Sequence, residues 1–278
     1  MIRHSIKLFL EYNKAVALII LSENAIGNFG AKRVYESKLF IEDYMPQLEL
    51  QKPELAILEE LRSELPKWKM LDIGVGAGRT TKHFAGLAKE YVGIDYSSAM
   101  TKACRQRFPL YRLEVRDAMD LSVFDDAYFD FVMFSFNGID SVTHQERLAI
   151  LREIRRVTRK GGYFSFSTHN LNSWWQGHPF RFSKNPAELY LSIYNFLLNR
   201  KVWQTIKRTT RKPQYAMIYH KYKNFLFRTY FITPSEQLKQ LKDAGFSNTQ
   251  AYDLANGKII SDPTKMLDNW VYFLAKAK

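Results

Sequence analysis

Glycine recurs at alternate positions in Leu71-Asp72-Ile73-Gly74-Val75-Gly76-Ala77-Gly78-Arg79, and Gly93-Ile94-Asp95-Tyr96-Ser97 follows. Glycines placed just after an apolar run let the backbone turn tightly and approach a ligand with no Cβ in the way. Asp72 inside the turn and Asp95 at the end of the next apolar run put carboxylates where a ligand with an amino group, a positive sulfonium and a ribose diol can use them. A dinucleotide fingerprint, G-x-G-x-x-G, wants glycine at position 79, where Arg79 stands, so a pyrophosphate cradle is not indicated.

Such a site needs a strand before the turn, a helix after it and a second strand ending at Asp95. The pattern continues. Tyr111 to Val115 is a third apolar segment, followed by Arg116-Asp117-Ala118-Met119. Phe129 to Phe136 reads as a fourth, buried strand ending in Ser135-Phe136-Asn137-Gly138. A helical stretch, Gln145 to Thr158, then leads through the turn Lys160-Gly161-Gly162 to a fifth strand, Tyr163 to Thr168. Strand and helix in alternation predict a parallel sheet with helices on both faces.

From Leu71 to Asn170 these motifs resemble the class I S-adenosylmethionine (SAM)-dependent methyltransferase family, in its bacterial type 11/25 form. The resemblance implies an α/β, doubly wound, Rossmann-like fold: a seven-stranded, mainly parallel sheet with a terminal antiparallel hairpin. It implies SAM as cofactor, with Asp72, Gly74, Gly76 and Gly78 near the methionine moiety. Asp95 would accept both ribose hydroxyls beside Tyr96, and Asp117, Ala118 and Met119 would lie by the adenine. Ser135 and Asn137 would stand at the reacting centre, Asn137 touching substrate as well. Lys160 departs from the family's lysine-proline-glycine-glycine turn by taking the proline position.

Outside that stretch, residues 1–66 read as a helical extension. Pro53-Glu54 opens a helix to Leu65 with Leu55, Leu58, Leu61 and Leu65 on one face, and Pro66 ends it. In similar methyltransferases the segment holding Tyr35 and Tyr44 folds over the cofactor as a lid, which makes Tyr35 a substrate-contact candidate; simple packing is the alternative. Residues 67–278 form the methyltransferase domain, with 170–229 an inserted helical and aromatic cap. The alternation resumes at Tyr230-Phe231-Ile232, and Thr233-Pro234-Ser235-Glu236 opens a helix to Asp243 that Gly245 closes. Thr249 to Tyr252 and Trp270 to Ala275 supply the last two strands.

Charge is unevenly spread along the chain. Of the net +13, residues 170–232 carry +10, with eleven Lys or Arg against Glu188 alone. The same stretch holds fifteen aromatics, among them Trp174 and Trp175, which become substrate-contact candidates. Basic residues interleaved with rings suit an anionic glycan or a lipid headgroup, and equally single-stranded nucleic acid. A solvated basic face is the plainer reading. The single cysteine, Cys104, excludes an intramolecular disulfide framework and reads as a small buried residue on the helix after the second strand. The apolar run Ala15 to Leu21 is far short of the roughly 18 residues of a spanning helix, and no small-x-small cleavage site follows it. A cytoplasmic protein is expected, with peripheral membrane contact open.

Methyl transfer from a sulfonium is an in-line displacement that asks the protein to align the partners and exclude water. A hydroxyl acceptor also needs a base, and ligands of open α/β sheets bind past the carboxyl ends of the strands. That leaves Asp140, His144, His169 and His178. His169, ending the fifth strand, is the first choice, against the alternative that it only hydrogen-bonds loop backbone. A magnesium ion on Asp140 and Asn170 is disfavoured, because hard ions want several converging oxygens; no metal is expected. The reading is an oxygen-directed SAM-dependent methyltransferase acting on a small-molecule, glycan or lipid-linked acceptor. Its rivals are an RNA methyltransferase and a non-catalytic SAM-binding protein.

Overall fold

A computed structural model describes residues 44–173, 213–222 and 225–278, together with 35–37, 41–42, 184–186, 189, 193 and 204. Trp174, Trp175, His178 and residues 1–34 lie outside the described residues.

The strands are β1 (Lys69–Ile73), β2 (Glu90–Asp95), β3 (Arg112–Val115), β4 (Phe129–Phe134), β5 (Thr158–Asn170), β6 (Tyr215–Tyr222), β7 (Phe225–Ile232), β8 (Phe246–Tyr252) and β9 (Trp270–Ala277). They join in one sheet. A parallel core in the order β3-β2-β1-β4-β5 continues antiparallel through β9 to β8, which makes the seven-stranded framework. Two further strands, β6 and β7, form an antiparallel hairpin within the expected insertion. The insertion is thus not wholly helical. His169 pairs with Trp270 of β9 on one side and Phe231 of β7 on the other, so β7 takes the edge of β5 that β4 vacates after Phe134 meets Phe166.

Period-two alternation sends neighbouring strand residues to opposite faces. On one face Leu71, Val132, Phe164 and Phe273 pack under α4 (His144–Val157) and α5 (Pro234–Asp243) through Ile150, Leu151, Ile154 and Leu241. On the other, Met70, Phe131, Met133 and Leu274 meet α1 (Lys52–Leu61), α2 (Thr81–Phe84) and α3 (Ser98–Arg107). Cys104 on α3 is fully buried there. The first helix departs from expectation in its face. It starts at Lys52, its stripe is Glu54, Ile57, Leu58 and Leu61, and Leu55 is 50% exposed. Thr233 caps α5 by accepting from the Glu236 N–H, as the Thr-Pro-Ser-Glu run predicts. Among the described residues no helix is long and apolar enough to cross a membrane.

Candidate active site

The turn after β1 is held from beneath. The backbone N–H groups of Gly74 and Val75 donate to Ile94 O at 2.7 and 3.1 Å, tying the turn to β2. Gly76 has φ +54° and a Cβ there would meet nothing within 4 Å, so the backbone offers a ligand an open approach. Gly78 answers a packing need, since its Cβ would stand 2.4 Å from the Phe108 ring.

Asp95 is buried, and its two oxygens accept from the backbone N–H of Gly76 at 2.9 Å and of Ser97 at 2.8 Å. Burial pushes its pKa up to about 6, although both N–H donors pull it down. Each carboxylate oxygen accepts more than one hydrogen bond, so a diol can still be received. Asp72 lies deeper. One oxygen accepts from Thr80 Oγ1 (2.6 Å) and Tyr91 OH (2.7 Å), the other has no partner, and burial again lifts the pKa to about 6.

A cavity with about 990 Å³ of empty space, its open mouth included, lies over this turn. Among the sequence-predicted residues Tyr35, Gly74, Gly76, Asp95, Tyr96, Asp117, Ala118 and Ser135 line it. Asp72, Gly78, Met119 and Asn137 do not line it. The Met119 N–H donates to Asp117 Oδ1 at 2.9 Å, shaping the loop beside the cavity. The Asn137 N–H donates to Ser167 Oγ at 2.7 Å, and its buried Oδ1 has no partner. Phe136 and Asn137 both hold positive φ, +53° and +58°, an uncommon pairing of left-handed residues at the end of β4.

The segment before α1 borders the same space. Tyr35 and Tyr44 line it, Tyr35 edge-on to Tyr96 (5.9 Å) and Tyr44 edge-on to Phe136 (5.8 Å). Ser97 Oγ donates to Tyr35 O at 3.1 Å and the Ser98 N–H to Glu36 at 2.9 Å, which fastens this segment to the start of α3.

Sequence reasoning missed a buried ion pair at the cavity wall. Arg79 binds Glu54 through both terminal nitrogens, with Nη2 to Oε1 at 2.7 Å and Nη1 to Oε2. Ser135 Oγ also donates to Glu54 Oε1, Tyr272 OH does so at 3.3 Å, and the guanidinium lies over Phe136 at 4.7 Å. The signal was present: Glu54 takes the first place of the i, i+3, i+4, i+7 stripe continued by Ile57, Leu58 and Leu61.

The base candidates gather elsewhere. Asp140 is buried and fully engaged. Its Oδ1 accepts from Arg147 Nη1 (2.6 Å) and Thr168 Oγ1 (2.7 Å), while Oδ2 accepts from the His169 N–H and pairs with His169 Nδ1, both at 2.7 Å. None of Asp140, His144 and His169 lines the cavity. Between them, Trp270 is edge-on to both His169 (5.8 Å) and the cavity-lining Phe136 (5.0 Å). His144 stacks on Tyr215 at 3.9 Å and its Nδ1 bonds Tyr230 OH at 2.7 Å; burial, then the Arg147 cation, hold its pKa below the ordinary value. Asn170 is spent on loop backbone, its amide donating to Met266 O and its oxygen accepting from the Asn172 N–H, so it offers no converging partner to Asp140 for a magnesium ion.

Residues 70–162 match a family described as a methyltransferase domain. The ubiquinone/menaquinone biosynthesis C-methyltransferase UbiE of Burkholderia orbicola is 36% identical over 104 residues, 35% of this chain and 41% of that protein. The chain therefore spans about two-fifths of the length of that relative. Among solved structures, the CcbJ methyltransferase of Streptomyces caelestis superposes with a TM-score of 0.58 at 16% identity, covering 88% of this chain and 98% of that one. The glycopeptide N-methyltransferase MtfA, complexed with S-adenosylhomocysteine (SAH), gives 0.54 at 14% identity, covering 87% and 99%.

Proposed function

Because the chain carries a class I SAM-dependent methyltransferase domain, we propose that it methylates an oxygen of a small-molecule, glycan or lipid-linked acceptor, with His169 as the base. When bound, SAM supplies the electrophilic methyl group itself. The residues fit that cofactor: Gly76 leaves open approach, Asp95 has acceptor capacity for the ribose, and Tyr96 brings a buried hydroxyl with no partner to the wall. Tyr35 and Tyr44 would cover the site and exclude water.

The observation that carries the oxygen reading is the Asp140–His169 pair at the carboxyl end of β5. A carboxylate on Nδ1 fixes the neutral ring with its proton on that nitrogen and makes Nε2 the basic one. For His169 to act, its Nε2 must reach the hydroxyl while that hydroxyl faces the SAM methyl, which requires Phe136 and Trp270, now between the ring and the cavity, to turn aside. The basic stretch that leaves the sheet just after Asn170 favours an acceptor with negative charge. Since relatives on this fold are named for carbon and nitrogen methylation, the acceptor atom is not inherited from the fold.

The test is transfer of a labelled methyl group from SAM into fractionated lipid, glycan, RNA and metabolite pools, with His169→Gln alongside and the labelled product's bond identified by mass spectrometry. His169→Gln should lower kcat by about 10²- to 10⁴-fold while SAH affinity stays unchanged. Undiminished transfer by the variant would reduce His169 to a structural group. Label on carbon or nitrogen would replace the oxygen assignment, label in RNA would favour the nucleic-acid rival, and SAM binding without transfer to any pool would favour the non-catalytic one.

A further inference from the structure

We propose that Phe136 is the residue that admits the acceptor: its ring swings between a closed place, where it parts the cavity from Trp270 and His169, and an open one, by a change of turn type at its own backbone. The swing belongs to the turn itself; its use to the acceptor rests on His169 as the base.

Ser135 to Gly138 form a β-turn at the end of β4. The Gly138 N–H donates to Ser135 O at 3.2 Å, and both central residues hold positive φ, Phe136 at +53° and Asn137 at +58°. That is the type I′ class, whose central positions favour Gly, Asn and Asp. Asn137 suits it. Phe136 does not, because a bulky side chain at positive φ crowds the neighbouring carbonyl, and contacts elsewhere must offset the cost. Those contacts are in place: the ring is edge-on to Tyr44 (5.8 Å) and to Trp270 (5.0 Å), and the Arg79 guanidinium lies over it at 4.7 Å.

A neighbouring turn type relieves the strain. Type II shares its second central residue with type I′ and differs at the first, which takes φ of about −60° and ψ of about +120°. Asn137 can therefore stay left-handed, with its N–H on Ser167 Oγ, while Phe136 alone moves to an ordinary backbone. The ends of the turn are packed in place. Ser135 Oγ donates to Glu54, and a Cβ on Gly138 would stand 2.3 Å from the Phe134 ring. Rotation about φ of Phe136 then carries its Cβ, and the ring with it, out of the space between Tyr44 and Trp270. Phe136 lines the cavity and Trp270 touches both Phe136 and His169, so this ring is the first that must move for the cavity to reach His169. Trp270, whose backbone is fixed by pairing with His169, gains room to turn its own ring aside. Tyr44 ties the closed ring to the segment before α1, so release of that segment favours the open place.

The test places 4-fluorophenylalanine, carbon-13 labelled at Cα and Cβ, at position 136 of the full chain saturated with SAH. Fluorine relaxation dispersion follows the ring and the carbon shifts report φ. The parent should show a major state at positive φ exchanging with a minor one at about 1–10%. Trp270→Leu and Tyr44→Leu each remove a contact of the closed ring and should raise the minor share about threefold or more, moving the carbon shifts toward those of negative φ. The proposal is overturned if no second ring state appears in any of the three proteins, or if the carbon shifts stay at positive φ in both variants. Undiminished transfer by His169→Gln beside two ring states would remove the base and leave the swing standing.

Discussion

Two buried ion pairs, one at the cavity wall and one beyond it at the end of β5, are built alike. Glu54 precedes Ile57, Leu58 and Leu61 on α1, and Arg147 precedes Ile150, Leu151 and Ile154 on α4, so each charge heads an apolar helical stripe. Their surroundings differ. Glu54 holds an arginine that lines the cavity, whereas Arg147 is fully buried and spends itself on Asp140, Thr168, Ile139 O and Gln237. Burying a charge is expensive in either place. At the glycine turn the cation lines the cavity; at β5 the pair holds His169 against Asp140. The same sequence device thus puts a charge at the cavity wall in one region and wholly inside the core in the other.

The comparison can be broken most forcefully at Arg147. Arg147→Met strands Asp140 in the core and should cost about 3–5 kcal/mol, read by urea unfolding, while folded protein keeps native SAH affinity. A matching loss of SAH affinity would mean that the two regions are not separate. Next in size is Asp95→Ala, which should lower SAH affinity about 100-fold through two lost charge-assisted bonds, with calorimetry as the measure. Acid titration sharpens the same point. The Asp95 pKa lies near 6, and the ionised form is the one that accepts a diol, so SAH affinity should be full above that pH and fall as pH drops through it toward 5. Invariant affinity between pH 8 and 5 would remove Asp95 from the ribose. The smallest effect belongs to Leu55→Ala, expected within about 0.5 kcal/mol of the parent because that side chain is half exposed, whereas Leu58→Ala should cost about 2–5 kcal/mol in the same thermal melts.

The glycine turn, Asp95 at the end of β2 and the Thr233 cap were legible because each is local: a few consecutive residues determine the backbone and the hydrogen bond. Glu54 and Arg147 are less legible: each heads an i, i+3, i+4, i+7 stripe, but a charge near a helix start also reads as a solvated group, and the tertiary fold decides between the two. Leu55 was misplaced for a related reason. The buried face is the stripe of Glu54, Ile57, Leu58 and Leu61, and Leu55, about 100° round the helix from Glu54, falls off it. The β6–β7 hairpin has a signal in the two aromatic-rich runs flanking Lys223-Asn224, which pair from Tyr222 and Phe225 outward, but basic residues interleaved with rings read equally as a ligand-binding surface.

One register has a practical consequence. Ile232 on β7 pairs with Asn170 of β5 on one side and with Tyr215 of β6 on the other. The polypeptide therefore departs after residue 170 and re-enters at 215 through a doorway two strand spacings wide, roughly 10 Å. The Asn170 side belongs to the framework, and the Tyr215 side to the β6–β7 hairpin that pairs with β5 through β7. If the stretch between them selects the acceptor, swapping residues 174–212 for the corresponding stretch of another member of the fold should change which acceptor is methylated and leave SAH affinity as it is.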